Sequence, residues 1–305
     1  MCCDYHALNK QTVRNMYPLP LAADCFDNLA KARVFSKLDL RHGYYQVRIA
    51  EGDKKKTTIV TRYGSFEFLV MPFGLCNAPA TFCTLMNDVL RLYLDSFVIV
   101  YLDNIVVFSD NMEDHKKHLA MVFEALRANQ LFLKKSKCVF AQTEISFLGH
   151  IVSQGYIRME PTRVKAIEDW VEPKNVHEMR VFLGMTNYQR KFVEGYSKVT
   201  SSLTYLLKKD KRWNWTDKCQ KAFDDLKKRM VTALILKLPD FESLFKIHID
   251  ALDFGIGGVL MQDGHPVVYK SQKFQDRERR YSVHEKETTA IIHCLHVWRH
   301  YLIGK

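Results

Sequence analysis

Asp103 and Asn104 stand between two short apolar runs, Phe97–Val100 and Ile105–Phe108. A second acid, Asp39, follows another apolar run that begins at Val34. Runs rich in Val, Ile and Phe suit β-strands, so both acids are expected at strand ends. Carboxylate oxygens suit hard divalent cations. Two cations held roughly 3.5–4 Å apart can grip a phosphate chain: one activates an attacking hydroxyl, the other neutralises a leaving pyrophosphate. The same Asp-Asn pair is also good turn chemistry, because both residues tolerate positive φ. The hairpin alone leaves both readings open.

The elements that must position these acids follow from patterning. Residues 34–50 read as a strand, a turn and a strand, with Tyr45, Val47 and Ile49 alternating against Gln46 and Arg48. Residues 57–71 read as a hairpin turning at Tyr63-Gly64-Ser65. A helix is expected over 21–31, and another from Asn77-Ala78-Pro79 to about Leu94, with Pro near its first turn. A long helix over 112–129 carries Glu113 and Asp114 in its first turn, where they suit the helix dipole. Short strands are expected over 131–157, helices from Pro161 to Met230 with a boundary at Pro173, and then a change of pattern. Beyond Leu238-Pro239-Asp240, three strands (245–250, 255–261, 267–269) and a helix over 282–302 are expected.

The composition bounds the class. The 305 residues suffice for two or three domains. A formal net charge of +11 favours polyanionic partners, nucleic acid above all. Lys54-Lys55-Lys56, Arg62 and Lys134-Lys135-Ser136-Lys137 could meet a phosphate backbone or form solvated faces. The eight cysteines form no CxxC pair, which argues against zinc and for a reducing compartment. No apolar run approaches a membrane span and no secretory signal opens the chain, so an intracellular protein without membrane contact is expected. His293, His296 and His300 share a helical face, read as a polar face rather than a metal site. Tyr44, close after Asp39, could stack against a sugar and exclude a 2′-hydroxyl, or be a plain buried aromatic.

Several motifs resemble those of the reverse transcriptases of gypsy-type LTR retrotransposons of the plant kind. Asp4–Lys10 resembles DYRALNK. Phe35–Tyr44 resembles FSKLDLRSGY. Met71–Phe82 resembles MPFGLTNAPATF, Tyr101–Ser109 resembles YLDDILVFS, and Phe147–His150 resembles FLGH. The last 60 or so residues resemble the start of the retroelement ribonuclease H domain. The resemblance implies an α+β chain: a right-hand polymerase palm and fingers over 1–155, a helical thumb over 156–240 carrying Trp213-Asn214-Trp215, and a partial ribonuclease H-like α/β domain over 241–305. It implies an RNA-directed DNA polymerase extending a primer on an RNA or DNA template with deoxynucleoside triphosphates. It implies two Mg²⁺, or Mn²⁺, in each active site.

Roles carry over position by position. Asp39 and Asp103 match the metal-binding aspartates, and Asn104 stands where the family has a further aspartate. Tyr44 matches the gate against ribonucleotides. Arg41, Phe73, Gly74 and Lys137 fall at nucleotide-binding positions, Lys137 as the aid to the leaving pyrophosphate. Phe147, Leu148, Gly149 and His150 match the primer grip. Asp250 and Glu287 match the strand aspartate and helix glutamate of the nuclease.

Three departures shape the expected activity. Asn104 removes one negative charge from the cation site. His6 replaces the Arg of DYR at a position expected to be structural. The chain starts after the basic finger residues of the family and stops before the third and fourth nuclease carboxylates. A decayed copy with impaired polymerase and no nuclease activity is therefore expected; the alternative is a non-catalytic nucleic-acid-binding remnant.

Overall fold

Strand burial explains the first sheet. In the computed structural model, which describes residues 3–18, 20–209, 211–252 and 255–303, Val98–Val100 and Ile105–Phe108 are buried on both faces. That is why they read as continuous apolar runs rather than alternations. Two units divide the chain, Met1–Ile145 and Ser146–Lys305.

In the first unit, helices α1 (His6–Gln11) and α2 (Ala22–Asp27) precede strand β1 (Val34–Asp39). The hairpin β2 (Ile59–Thr61)–β3 (Gly64–Phe66), helix α3 (Ala78–Leu90), strands β4 (Val98–Tyr101) and β5 (Asn104–Ser109), helix α4 (Met112–Ala128) and strand β6 (Val139–Gln142) follow. The four-stranded sheet has the order β4-β5-β1-β6. Helix α3 buries Ala78, Phe82, Met86 and Leu90 at a spacing of four, a stripe that meets Leu38, Val100, Ile105 and Val122 in the core. Asn111 caps α4, its side chain accepting from the Asp114 N–H at 2.9 Å.

One expectation fails here. The alternation at Tyr45, Val47 and Ile49 does not make a strand: Gly43–Gln46 is a 3₁₀ turn, and only isolated bridges at Leu40 and Arg48 flank it. His42 enters this turn at φ 54°. Tyr44 and Tyr45 then pack on Phe73, with ring centroids 5.0 and 5.3 Å away. Packing of the two tyrosines overrides the local period.

The second unit holds a sheet of order β10-β9-β8-β7, whose first-formed strand straddles the unit boundary. Its strands are β7 (Glu144–Phe147), β8 (His150–Ser153), β9 (Tyr156–Met159) and β10 (Leu236–Lys237). Between β9 and β10 run helices α5 (Pro161–Glu168), α6 (Val176–Tyr188), α7 (Tyr196–Val199), α8 (Ser201–Tyr205) and α9 (Asp217–Val231). Phe182 and Phe223 join α6 to α9 with ring centroids 4.7 Å apart. A last layer consists of strands β11 (Lys246–Leu252), β12 (Gly255–Gln262) and β13 (His265–Lys273) with helices α10 (Val283–Val297) and α11 (Arg299–Leu302). Ser282 and Glu285 form a capping box at the start of α10.

Candidate functional site

Asp39 and Asn104 are Cα partners at the end of the antiparallel β1–β5 ladder. Asp103 precedes Asn104 in the two-residue turn that joins β4 to β5, closed by the Tyr101–Asn104 pair. The positive φ of this turn sits on Leu102, at 55°, and on neither Asp103 nor Asn104. The Asp-Asn pair is thus not there for turn geometry, and a leucine bears the strain. The thiol of Cys83, raised in pKa first by burial, lies against the Leu102 backbone and the Asp103 charge.

The surroundings of the two acids are close-packed. A Cβ placed on Gly43 would meet a Phe82 ring carbon at 3.3 Å and the Asp103 Cβ at 3.6 Å. Tyr44 stacks edge-on against Phe82, centroids 5.4 Å apart. Burial first, then the Asp103 and Cys83 charges, push its hydroxyl pKa up. The Asn104 amide donates to Asp103 Oδ1 at 3.1 Å. Lys137 Nζ lies 3.5 Å from Asp39 Oδ2, and the Lys134 N–H donates to the Asp39 carbonyl at 2.9 Å. Asp39, Asp103, Asn104, Tyr44, Phe73 and Lys137 therefore belong to one neighbourhood. The donor set, two carboxylates with an amide oxygen in reach of rotation, suits a hard cation.

The loop with Phe73 and Gly74 is stapled by a residue that sequence reasoning passed over. Asn9 donates to the Gly74 carbonyl at 2.8 Å and accepts from the Cys76 N–H at 2.8 Å. Gly74 has φ 98°, where a glycine is needed. Gln46 ties the Arg41 and Phe132 backbones together at 2.7 and 3.0 Å, leaving the Arg41 side chain exposed. No local pattern marks either Asn9 or Gln46, since both act on segments distant in sequence. Of the basic clusters, Lys54 and Lys56 pair with Glu51 and Asp53 at 2.5 Å each, which favours a solvated face there.

Phe147–His150 lies in the second unit. Leu148 and Gly149 turn the β7–β8 hairpin at φ 48° and 74°. Phe147 and His150 are buried. His150 Nδ1 faces the Leu148 carbonyl at 3.0 Å, and Nε2 faces the Gln189 side chain at 2.9 Å. Burial, with the Lys191 charge next, drives the His150 pKa down to about 3. The Gln189 atom that faces Nε2 is its amide oxygen, so both ring nitrogens face acceptors and a neutral ring donates to one of the two. The Tyr188 hydroxyl donates to the Leu148 carbonyl at 3.0 Å.

Asp250 and Glu287 lie on β11 and α10, two elements of the same last layer. Asp250 pairs with Gly257, and Ile249 with Gly258. Gly258 faces α10, since a Cβ there would lie 2.8 Å from Cys294 Sγ. Alternation sends Asp250 to the opposite face, where it lines a cavity of about 750 Å³ with Lys198, Lys221, Asp225 and Arg229. Glu287 is exposed on α10, seven residues and ~10 Å along the axis from Cys294.

Comparison with known proteins accords with the palm geometry. The family described as reverse transcriptase (RNA-dependent DNA polymerase) matches residues 1–152, and the RNase H-like domain found in reverse transcriptase matches residues 215–305. The retrovirus-related Pol polyprotein from transposon 297 of Drosophila melanogaster is 40% identical over 304 residues, covering 99% of this chain and 29% of that protein. The transposon Tf2-7 polyprotein of Schizosaccharomyces pombe (strain 972 / ATCC 24843) is 38% identical over 308 residues, covering 99% and 23%. The chain thus spans about a quarter of the length of these relatives. Among solved structures, a foamy viral protease-reverse transcriptase dRH in complex with double-stranded DNA matches with TM-score 0.92 at 22% identity, covering 99% of this chain and 54% of that one. The foamy viral protease-reverse transcriptase in complex with RNA/DNA hybrid matches with TM-score 0.86 at 22% identity, covering 99% and 42%. The fold is therefore that of a reverse transcriptase polymerase followed by an RNase H-like domain, and the chain belongs to the reverse transcriptase family, with relatives among the Pol polyproteins of gypsy-type LTR retrotransposons.

Proposed function

We propose that this chain carries an RNA-directed DNA polymerase site that adds deoxynucleotides to a primer 3′-hydroxyl on an RNA or DNA template. The observation that carries the reading is the pairing of Asp39 with Asn104, which sets the Asp39 and Asp103 carboxylates at neighbouring strand ends. Asp39 and Asp103 would hold divalent cations, Mg²⁺ by preference, whose charge would lower the pKa of the primer hydroxyl and offset the pyrophosphate. Tyr44, backed by Phe73 and Phe82, would stand against the sugar and exclude a 2′-hydroxyl. Lys137 would turn from Asp39 toward the pyrophosphate. Asn104 donates to Asp103 and brings no charge, so cation attraction is weaker than with a third carboxylate, and the rate is reduced.

Fingers and palm, thumb and RNase H-like domain would divide the chain in that order. The first unit would be fingers and palm. The helices from Pro161 to Val231 would form the thumb, and the last layer from Lys246 onward the RNase H-like domain. The foamy viral structures are bound to DNA and to RNA/DNA hybrid, which supports a nucleic-acid duplex as the partner here. The hairpin at Phe147–His150 would contact the primer strand. The seven described cysteines are free, which fits a reducing, intracellular setting, and among the described residues no helix is long and apolar enough to cross a membrane. Asp250 and Glu287 would be the strand and helix carboxylates of the RNase H-like domain.

The test is primer extension on an RNA template with Mg²⁺. Measurable extension that disappears in Asp39→Asn and Asp103→Asn supports the reading. Extension unchanged in both variants would overturn it.

A further inference from the structure

A cavity of about 1060 Å³ lies wholly within the second unit, between α7–α9 and the β12–β13 edge. Seven cationic side chains line it: Lys198, Lys208, Lys211, Arg212, Lys218, Lys273 and Arg279. No carboxylate is among its described lining residues. Of the seven, Arg279 alone has a described ion pair, with Asp276 at 3.5 Å. Such a concentration of like charge in a concave site costs energy unless an anion enters it.

The cluster is built rather than scattered. Lys273 is half-buried and donates to Thr204 Oγ1. Thr204 is fixed in turn, its hydroxyl reaching the Thr200 carbonyl at 2.9 Å. Burial first, then the Arg279 and Lys208 charges, lower the Lys273 pKa, as expected for an ammonium set among cations without a counter-charge. Lys208 and Lys211 flank the Tyr205 ring, their Nζ atoms 5.3 and 5.1 Å from its centroid. The hydrogen bond from Lys211, with both ammonium charges, lowers the Tyr205 pKa. Thr216, the cap of the fifteen-residue helix α9, also lines the cavity, so the positive end of that helix adds to the field, partly offset by Asp217.

The rest of the lining is not phosphate-like. Leu206, Ile256 and the Tyr205 ring give an apolar wall, and Gly255 and Gly257 leave space beside it. A pure polyphosphate would leave this wall unused. A flat ring with a phosphate chain uses both parts: the ring against Leu206 and Ile256, the phosphates among the lysines. The volume suits a ligand of that size. The cavity contains none of Asp39, Tyr44, Phe73, Asp103 or Lys137.

We propose that this cavity is a second nucleotide site, taking a nucleoside polyphosphate by its phosphate chain and base, separate from the polymerase site. The inference does not depend on the polymerase reading.

The experiment measures binding of N-methylanthraniloyl-ATP to the whole chain by fluorescence, without divalent cation. Saturable binding is expected, unchanged in Asp39→Asn and Asp103→Asn. It should weaken at least tenfold in Lys273→Gln and in Lys208→Glu/Lys211→Glu. The latter pair is partly exposed, so its effect is read even where Lys273→Gln folds poorly. Unlabelled ATP should compete well, inorganic tripolyphosphate less well, and adenosine only weakly. Equal competition by tripolyphosphate and ATP would overturn the ring part of the proposal. Binding lost in the Asp39 and Asp103 variants but kept in the lysine variants would place the nucleotide in the palm and overturn it entirely. Displacement by a short single-stranded DNA at nanomolar concentration, with a steep salt dependence, would overturn it in favour of a nucleic-acid track.

Discussion

Asn104 donates its side-chain amide to the carboxylate of Asp103 at 3.1 Å, while its own backbone pairs with Asp39 across the sheet. One neutral residue thus touches both acids of the palm, through a side-chain bond and through the ladder. Its amide ties up one Asp103 oxygen that a cation would otherwise use.

Replacing Asn104 by Asp frees that oxygen and adds a charge. The extension rate should rise at least tenfold, about 1.4 kcal/mol of barrier. Without cation, three close carboxylates repel, so Asn104→Asp should melt earlier than the parent in a chelator and recover when Mg²⁺ is added. A melting temperature indifferent to Mg²⁺ would count against a cation site at this sheet end.

Tyr44 is held between Phe73 and Phe82. Truncation to Ala removes both aromatic contacts and should destabilise by about 2 kcal/mol, measured by urea unfolding. Tyr44→Phe should keep the packing and the stability within about 0.5 kcal/mol. If Tyr44 screens the sugar, ribonucleotide incorporation rises in the Ala variant and not in the Phe variant.

His150 gives a pH signature. Its folded pKa of about 3 lies below the ordinary value of 6.5. The unfolded chain therefore binds a proton that the folded chain refuses. The stability attached to the neutral ring is complete above about pH 6.5 and declines as pH falls toward 3. Its slope is at most about 1.4 kcal/mol per pH unit. His150→Gln should be less stable at pH 7 and should lose less stability between pH 6 and pH 4 than the parent. Parallel curves for the two proteins would refute a neutral, buried ring.

Gly149 has φ 74°, and a Cβ there would overlap the Arg163 guanidinium. Gly149→Ala combines backbone strain of about 1 kcal/mol with displacement of Arg163 from the Tyr188 ring, 5.3 Å away. A loss of about 2 kcal/mol in all is expected. Gly149→Ala in an Arg163→Ala background should cost clearly less, which a double-mutant cycle reads directly.

Much of the palm was legible because its strands are buried on both faces and its helices carry stripes at a spacing of four. The Phe97–Val100 and Ile105–Phe108 runs and the Ala78–Leu90 helix belong to this class. Other features are not written locally. Tyr45, Val47 and Ile49 alternate like a strand, yet Phe73, remote in sequence, folds the tyrosines into a 3₁₀ turn. The acids at the hairpin suggested residues suited to positive φ, and Leu102 takes that conformation instead. Which sheet face helix α10 covers depends on partners distant in sequence, such as Gly258 and Cys294. Asn9 and Gln189 work through distant backbone or side-chain partners, which no single-sequence period can reveal.

The register of β1 with β5 runs from Val34 opposite Ser109 to Asp39 opposite Asn104. Residues made early on the ribosome must therefore wait for the whole of Ser109 to emerge before the sheet can close around them. Synthesis runs at ~5–20 residues per second, so the nascent amino-terminal segment spends seconds as a tethered, unpaired ribbon. A nonsense codon between Asp39 and Ser109 yields a fragment that has Asp39 but lacks the complete strand with which β1 pairs.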